Sequence, residues 1–266
     1  MESTSIYDAA RFYDIAFGWR DVPAECTFML ERFRLAAGRE ARSALELACG
    51  PGQHARTLAA RGLQTVGLDA NLKMIDYAKQ QPGGDDPDLT WLVADMRDFA
   101  LETPVELACC LMDSPSHLLT LDDLLQHLSA LARNVVPGGL YVLDQSHPRD
   151  AFATDEPGTV PDWEMEDESG EIVVHTTWGE PTDPFDFATQ VGRLTVTLRA
   201  YRDEEEIFHQ QETVLSRLWL AGEMEAAIRA SGTWRLRERF GAMDSTVPWQ
   251  SEPPATRMVT ILERVG

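Results

Sequence analysis

The strongest constraint on the fold is an alternation, from residue 43 onward, of short apolar runs with segments whose apolar residues recur at helical spacing. Such alternation is typical of consecutive βαβ units, which build a parallel sheet with helices on both faces. Two more apolar runs close the chain. We therefore predict an α/β fold with a mainly parallel seven-stranded sheet. The predicted strands lie near residues 43–48, 64–69, 89–95, 105–112, 138–144, 234–240 and 257–265.

The helices are predicted from their end signals. Thr120 and Asp123 have the spacing of a capping box, and the apolar residues that follow share one helix face up to the Pro-Gly-Gly sequence of residues 137–139. A second helix is expected between Asp21 and Gly38. The long helix has the apolar face of a core element, so we assign it no chemistry.

Residues 151–217 interrupt the α/β pattern directly after the fifth predicted strand. Apolar and polar residues alternate through residues 190–202, which predicts a half-buried strand with antiparallel neighbours. We therefore divide the chain into an α/β domain, residues 1–150 and 218–266, and an antiparallel β insertion that serves as a lid or a dimer arm. The acid-rich residues 150–171 are its expected mobile part. The apolar face of this predicted strand can pack on its own subunit or on a second one, so the sequence leaves the choice between a monomer and a homodimer open.

The charge balance excludes several partners. Forty-four acidic residues oppose 23 basic ones, a formal charge of −21, which is the wrong sign for binding nucleic acid or an anionic membrane surface. The sequence has no apolar stretch near the ~18 residues of a membrane span and no secretory pattern at its start. We therefore predict a cytoplasmic protein without nucleic-acid or membrane partners. The four cysteines form no CxxC pair, so buried thiols and no metal site are expected.

A glycine loop lies between the first predicted strand and the next helix, in the sequence Glu-Leu-Ala-Cys-Gly-Pro-Gly-Gln-His-Ala of residues 46–55. Gly50 and Gly52 allow a sharp turn and a close approach of the backbone to a ligand. A strand, a tight glycine turn and a helix are typical of a nucleotide site. The spacing up to Ala55 also matches the dinucleotide fingerprint, so an NAD(P)-dependent oxidoreductase is an alternative.

Three acidic residues stand at the ends of consecutive predicted strands, where open α/β sheets bind ligands. Glu46 would repel a pyrophosphate at the helix N-terminus, whereas the ammonium and sulfonium of S-adenosylmethionine complement it. Asp69 can accept hydrogen bonds from ribose hydroxyls, in either cofactor. Asp95 with Met96 suits an adenine amino group and ring face. The sequence therefore favours S-adenosylmethionine, although each acid alone could equally be a cap or begin a turn.

Five motifs, ELACGPG, GLDAN, ADMRDF, LMDSPSHLL and VPGGLYVLD, follow one another in this order. Together they resemble the class I S-adenosylmethionine-dependent methyltransferases, which implies a Rossmann-like fold; the resemblance covers roughly residues 5–147 and 218–264. The residues Tyr7-Asp8, Tyr13-Asp14 and Ser116-His117-Leu118 are similar to bacterial small-molecule methyltransferases of the sugar N,N-dimethyl and glycine N-methyl types. One departure is Ala48, where the motif commonly has its first glycine.

The resemblance implies roles for the matching residues. Residues of the glycine loop would hold the methionine end of the cofactor, Asp69 the ribose and Asp95 the adenine. The backbone around Leu111 and Met112 would face the ammonium and the transferring methyl group. The predicted cofactor site comprises Tyr13, Trp19, Glu46, Ala48, Gly50, Gly52, His54, Asp69, Ala70, Met74, Asp95, Met96, Leu111 and Met112.

The acceptor is predicted to be a small molecule that is methylated on nitrogen or oxygen by in-line displacement. Positioning can supply much of the acceleration, so a base is optional. His117 follows the fourth strand and is a candidate catalytic residue, or else it only caps or packs. Tyr13, the other candidate, could join Tyr7 and Trp19 in an aromatic cover over the cofactor, or belong to the core of a helix predicted over residues 5–17. A non-catalytic cofactor-binding module is the remaining alternative.

Overall fold

The computed structural model describes residues 5–149, 161–250 and 252–266 of the 266-residue chain. Its larger sheet has seven strands, in the order β11-β12-β5-β4-β1-β2-β3. Neighbours run parallel from β3 to β5, while β12 is antiparallel to both β5 and β11. The strands are β1 (Ser43–Leu47), β2 (Gln64–Asp69), β3 (Leu89–Val93), β4 (Val105–Cys110), β5 (Val135–Ser146), β11 (Trp234–Phe240) and β12 (Arg257–Arg264). The predicted Rossmann-like, mainly parallel seven-stranded sheet is confirmed.

Six α-helices occur in the described part of the chain, where most of them connect the strands of the larger sheet. The capping box of the long helix is present, since the Thr120 side chain accepts a hydrogen bond from the Asp123 N–H and the Asp123 carboxylate accepts one from the Thr120 N–H. The helices are α1 (Ala10–Ala16), α2 (Val22–Ala37), α3 (Gln53–Ala60), α4 (Leu72–Gln80), α5 (Leu121–Asn134) and α6 (Ala221–Ser231).

The end of α5 differs from the sequence prediction. The helix stops at Asn134, and β5 begins at the next residue and runs through the Pro-Gly-Gly sequence of residues 137–139, which was expected to end the helix. Gly139 is required for packing, because a Cβ there would lie 2.8 Å from the Glu106 carbonyl oxygen. The Pro-Gly-Gly segment therefore belongs to a closely packed strand and is not the signal that ends α5.

The insertion forms a second sheet in the order β10-β9-β7-β6, with the short β8 beside β9. All its pairings are antiparallel, as predicted. Residues 162–166 were expected in the mobile connection but form β6, which is paired with β7 along its length. Within that connection, residues 150–160 lie outside the described residues. The strands are β6 (Asp162–Glu166), β7 (Val173–Trp178), β8 (Phe185–Asp186), β9 (Val191–Arg202) and β10 (Glu205–Arg217).

The apolar face of the insertion packs on the N-terminal segment of the same chain. Val196 and Leu198 of β9 share a buried cluster with Ile6 and Ala16. Glu212 of β10 secures the contact, since its carboxylate accepts hydrogen bonds from the Ser5 hydroxyl at 2.9 Å and the Ile6 N–H at 2.7 Å. The face is therefore covered within one subunit; the homodimer and the domain boundaries remain predictions.

The larger sheet is covered by helices whose apolar residues form two buried clusters, one led by α5 and α6 and the other by α2. No helix in the described part of the chain is both long and apolar enough to cross a membrane. The cytoplasmic location stays a prediction.

Candidate active site

A cavity of about 850 Å³ lies between the carboxyl ends of the larger sheet and the second sheet. Its walls come from the N-terminal segment, from the loops after β1 to β5, and from the insertion. Loops at the carboxyl ends of parallel strands are the usual ligand site of such sheets. A smaller cavity of about 70 Å³ adjoins it and shares several walls, among them Tyr13, Ala48, Gly50 and Met112.

The glycine loop turns through left-handed backbone conformations. Ala48 and Gly50 have φ angles of +50° and +51°, and both line the two cavities. A left-handed conformation is uncommon for alanine and marks a constrained position. Gly52 has another role, because a Cβ there would lie 2.2 Å from the Trp91 ring. Gly52 thus permits helix–sheet packing and lines neither cavity, although the sequence placed it at the ligand.

Asp69 is held at the end of β2 by two backbone N–H groups. One carboxylate oxygen accepts from Gly50 at 2.8 Å and the other from Asn71 at 2.8 Å. Burial raises the pKa of Asp69, and these hydrogen bonds oppose the rise. The carboxylate lines the large cavity, together with Ala70 and Met74. Each oxygen retains acceptor capacity, so the geometry suits a diol such as ribose.

Asp95 lines the same cavity beside Met96, but it has a partner that the sequence analysis did not foresee. Its carboxylate forms a bidentate pair with Arg97, with N–O distances of 2.6 and 3.0 Å. Hydrogen bonds from Arg97 lower the pKa of Asp95. Arg97 also contacts Asp123 at 2.6 Å. Asp95 is therefore an ionised, firmly oriented acceptor at the cavity edge.

A buried charge network lies beneath the glycine loop at the small cavity. Glu46 accepts from the Ala55 N–H at 2.8 Å and contacts His54 Nδ1 at 3.2 Å. His54 Nε2 contacts Glu25 at 2.7 Å, and Glu25 is in turn paired with Arg20. Burial opposes protonation of His54, yet its hydrogen bonds to Glu25 and Glu46 raise its pKa.

Arg20 provides an unpaired polar atom at this cavity. Its Nη2 lies 2.5 Å from Glu25, whereas its Nη1 is buried without a hydrogen-bond partner among the described residues. Leu111 and Met112 line the same small cavity. An arginine that lines a small cavity and has an unpaired guanidinium nitrogen suits a carboxylate ligand. Sequence reasoning missed Arg20, because an arginine directly after a predicted helix carries no pattern of its own.

A second group of ion pairs lies at the end of β5, where Arg257 and Asp113 line the large cavity. Arg257 forms a bidentate pair with Asp144, at 2.8 and 2.9 Å, and contacts Asp113 at 2.9 Å. Burial opposes ionisation of Asp144, but Arg257 holds its pKa below the ordinary value. Asp113 also accepts from the Ser146 hydroxyl at 2.8 Å. These residues fix the loop after β4, which carries Met112 into the cavity.

His117 and Tyr7 meet on the opposite wall, with His117 Nε2 3.1 Å from the Tyr7 hydroxyl oxygen. Burial lowers the pKa of His117 and raises that of Tyr7, so both side chains are neutral near pH 7. The Tyr13 ring lies 5.6 Å from the Tyr7 ring. Trp19 lines the cavity but is 56% exposed, so it stands at the rim.

The structure thus gathers most of the predicted site. The large cavity is lined by Tyr13, Trp19, Ala48, Gly50, Asp69, Ala70, Met74, Asp95, Met96, Met112 and His117. Three others, Glu46, His54 and Leu111, line the small cavity. The residues that sequence reasoning missed include Arg20, Arg257, Trp163 and Trp178; the two tryptophans are the strongest missed signal, since both lie in the insertion facing the site.

Comparison with known proteins defines the class. Residues 44–139 match the family described as "Methyltransferase domain". A solved S-adenosylmethionine-dependent methyltransferase from Clostridium acetobutylicum has a similar fold, with a TM-score of 0.75, 18% identity, and coverage of 97% of this chain and 98% of that one. DesVI from Streptomyces venezuelae gives a TM-score of 0.74 at 23% identity, with 95% and 97% coverage. Residues 44–139 therefore match a methyltransferase domain, and the chain has the fold of known S-adenosylmethionine-dependent methyltransferases.

Within that class, the chain is similar to sugar N,N-dimethyltransferases. It is 32% identical over 149 residues to the dTDP-4-amino-2,3,4,6-tetradeoxy-D-glucose N,N-dimethyltransferase of Saccharopolyspora spinosa, covering 54% of this chain and 57% of that protein. It is 30% identical over 139 residues to the dTDP-3-amino-3,4,6-trideoxy-alpha-D-glucopyranose N,N-dimethyltransferase of Streptomyces venezuelae, covering 52% and 56%. The aligned regions span little more than half of these relatives. The predicted family resemblance is confirmed.

Proposed function

We propose that this protein is an enzyme that transfers a methyl group from S-adenosylmethionine to a small-molecule acceptor. The observation that carries the proposal is the pairing of two features at the glycine loop. Asp69 presents a fixed carboxylate to the large cavity, and Arg20, whose buried Nη1 has no partner among the described residues, lines the adjoining small cavity. A nucleoside with an amino-acid tail needs a hydrogen-bond acceptor for its ribose diol and a hydrogen-bond donor for the carboxylate of its tail.

The residues present fit this cofactor. Asp69 would hold the ribose, with Ala70 and Met74 against its apolar faces and Asp95 near the adenine. Arg20 would hold the carboxylate of the methionine end. Glu46 already accepts from Ala55 and His54, so its role is to fix the loop and to supply negative charge near the ammonium.

When bound, the cofactor supplies a methyl group activated by a sulfonium. The chain's own residues would align the acceptor and exclude water. His117 lines the cavity as a neutral imidazole, and the pair that its Nε2 forms with the Tyr7 hydroxyl can orient the acceptor or receive its proton. Tyr7 would hold the His117 ring in place.

Glu46 argues against the NAD(P)-dependent alternative, whereas Asp69 fits the ribose of either cofactor. Glu46 lies at the glycine loop, where a dinucleotide would place its pyrophosphate. The match to a methyltransferase domain supports the same choice.

The cofactor assignment is tested by calorimetry with two ligands. S-adenosylhomocysteine has the amino-acid tail, and 5′-methylthioadenosine lacks it. Asp69→Ala should weaken both ligands by about 1–3 kcal/mol, the scale for hydrogen bonds to a charged group. Unchanged affinities in this variant would remove Asp69 from the site.

Arg20→Met should separate the two ligands. It is expected to weaken S-adenosylhomocysteine by about 1.5–3 kcal/mol, because a charge-assisted hydrogen bond is lost. It should leave 5′-methylthioadenosine within about twofold, which also shows that the variant is folded. Arg34→Met, an exposed arginine on α2, is the matched control. Equal losses for both ligands would contradict the assignment of Arg20 to the tail.

A further inference from the structure

The acceptor side of the cavity is walled by aromatic rings from two parts of the chain. Phe17 of the N-terminal segment lies 5.5 Å from the Trp163 ring and 5.8 Å from the Trp178 ring, measured between centroids. The Trp163 indole N–H donates to the Ala16 carbonyl at 2.7 Å, so this polar group needs no ligand. Further apolar lining comes from Phe185, Phe187, Leu194 and Val214.

The arginines of this cavity are already paired with carboxylates. Arg97 contacts Asp95 and Asp123, and Arg257 contacts Asp113 and Asp144. Arg217 contacts Glu223 and stacks on the Trp219 ring. Its Nε has no hydrogen-bond partner within the described ranges, but Glu223 neutralises its guanidinium.

No lysine lines the cavity among the described residues, and the segments outside them, residues 1–4, 150–160 and 251, contain neither lysine nor arginine. Asp69 has no cationic partner in the described part of the chain, so the cavity carries an excess of negative charge. A zwitterionic tail adds no net charge, so it can use the unpaired nitrogen of Arg20 although Glu25 already neutralises that guanidinium. A diphosphate adds two or more negative charges, and the arginines that line the cavity, each already paired with a carboxylate, do not balance them.

From these two observations we infer that the acceptor is an amine on an apolar, ring-containing body that carries no phosphate. The aromatic wall would hold that body, and ring faces attract an ammonium through their quadrupoles. The charge of −21 would attract such a cation from solution. This differs from the two relatives whose names specify dTDP-linked sugars. The inference rests on the proposed methyl transfer.

The transfer itself balances for such an acceptor. After the ammonium loses a proton, the nitrogen lone pair forms the new N–C bond while the electron pair of the C–S bond goes to sulfur. The remaining proton of the charged product passes to His117 Nε2 or to solvent. The methylated amine can become cationic again, and the aromatic rings accommodate the added methyl groups.

The test compares two probes on protein saturated with S-adenosylhomocysteine. Tryptamine represents the ring-bearing amines, and thymidine diphosphate represents the acceptors named for the relatives. Calorimetry should show tryptamine binding at least about tenfold more tightly than thymidine diphosphate. Thymidine diphosphate binding as tightly as the amine would overturn the inference. The inference would also be overturned if the enzyme methylated a nucleotide-linked amino sugar but none of a panel of ring-bearing amines.

Two variants locate the bound amine. Trp178→Ala should weaken tryptamine by about tenfold, since an aromatic partner is lost. Phe187→Ala should weaken it by about threefold; Phe187 is 81% exposed, so this change does not disturb the core. Trp249→Ala is the matched control, because Trp249 stacks on His147 and does not line the cavity. Unchanged tryptamine affinity in both cavity variants overturns the inference. Failure to bind S-adenosylhomocysteine at all would instead contradict the proposed function.

Discussion

Replacing Arg257 by methionine is expected to lower the free energy of unfolding by about 3–5 kcal/mol, the usual loss when one partner of a buried ion pair is removed. Asp144 is 2% exposed and receives two of its hydrogen bonds from this guanidinium. The variant would leave its carboxylate buried, with Arg20, at 3.7 Å, as its only cationic neighbour among the described residues. Urea denaturation at pH 7 measures the loss.

The loss should depend on pH in a defined direction. In the folded protein Arg257 holds the pKa of Asp144 below its ordinary value. The stabilisation is therefore complete above the unfolded pKa, about 3.9, and disappears as the pH falls through the lower folded value. The difference between the native protein and the variant should shrink as the medium becomes acidic.

Arg235→Met is the control for this effect. Arg235 also pairs with a glutamate, Glu263, at 2.9 Å, but its side chain is 61% exposed. An exposed pair contributes at most about 1 kcal/mol, so this variant should unfold almost like the native protein. An equally small change in the free energy of unfolding for Arg257→Met would show that the pair between Arg257 and Asp144 does not stabilise the fold.

His117→Ala is expected to lower kcat by about 10²- to 10⁴-fold, the usual contribution of a general base. The measurement is initial methylation rates with a saturating acceptor, once one is identified. His175→Ala is the matched control, because His175 lies in the insertion, pairs with Glu164 and is half exposed. A loss below tenfold with an unchanged pH profile would exclude an obligatory base and leave His117 a positioning role.

The pH profile gives the sign of the His117 contribution. Burial lowers the pKa of His117 and outweighs the opposing charges of Asp113 and Glu212. Its neutral form therefore persists below the ordinary histidine value of about 6.5. The rate should fall only on the acid side of that value, and His117→Ala should remove this limb of the profile. Tyr7→Phe should retain the limb, since the Tyr7 hydroxyl contacts Nε2 without replacing it.

The cofactor half of the site could be predicted because its chemistry is coupled to local sequence. Asp69 ends a strand and lies 19 residues beyond Gly50, and the structure joins the two by a hydrogen bond across that separation. The carboxyl ends of parallel strands lie at one edge of the sheet, so the position of an acid at the end of a predicted strand also predicts its position in the ligand site. His117 was located by the same rule.

The other residues of the site, on both its cofactor side and its acceptor side, could not be predicted in this way. Arg20 acquires its role from Glu25 on the next helix and from Asp144, far along the chain. Arg257 reaches Asp113 across 144 residues. Residues 162–166 were assigned to a mobile stretch because their acids dominate the composition, yet the alternation of Trp163 and Met165 between those acids fits the strand that forms. Pairings between distant residues leave no local periodicity.

The attachment of the first residues to Glu212 has a consequence for biosynthesis. Ser5 and Glu212 are 207 positions apart, so a ribosome adding about 5–20 residues per second needs roughly 10–40 s to supply the partner. Until the insertion has been made, Ile6 and Ala16, fully enclosed in the finished protein, lack the side chains of β7 and β9 that cover them. The strands from β1 to β5 emerge earlier and in order, whereas the aromatic wall can assemble only once the insertion has been made. Nascent chains should therefore be most prone to aggregate before the insertion is complete.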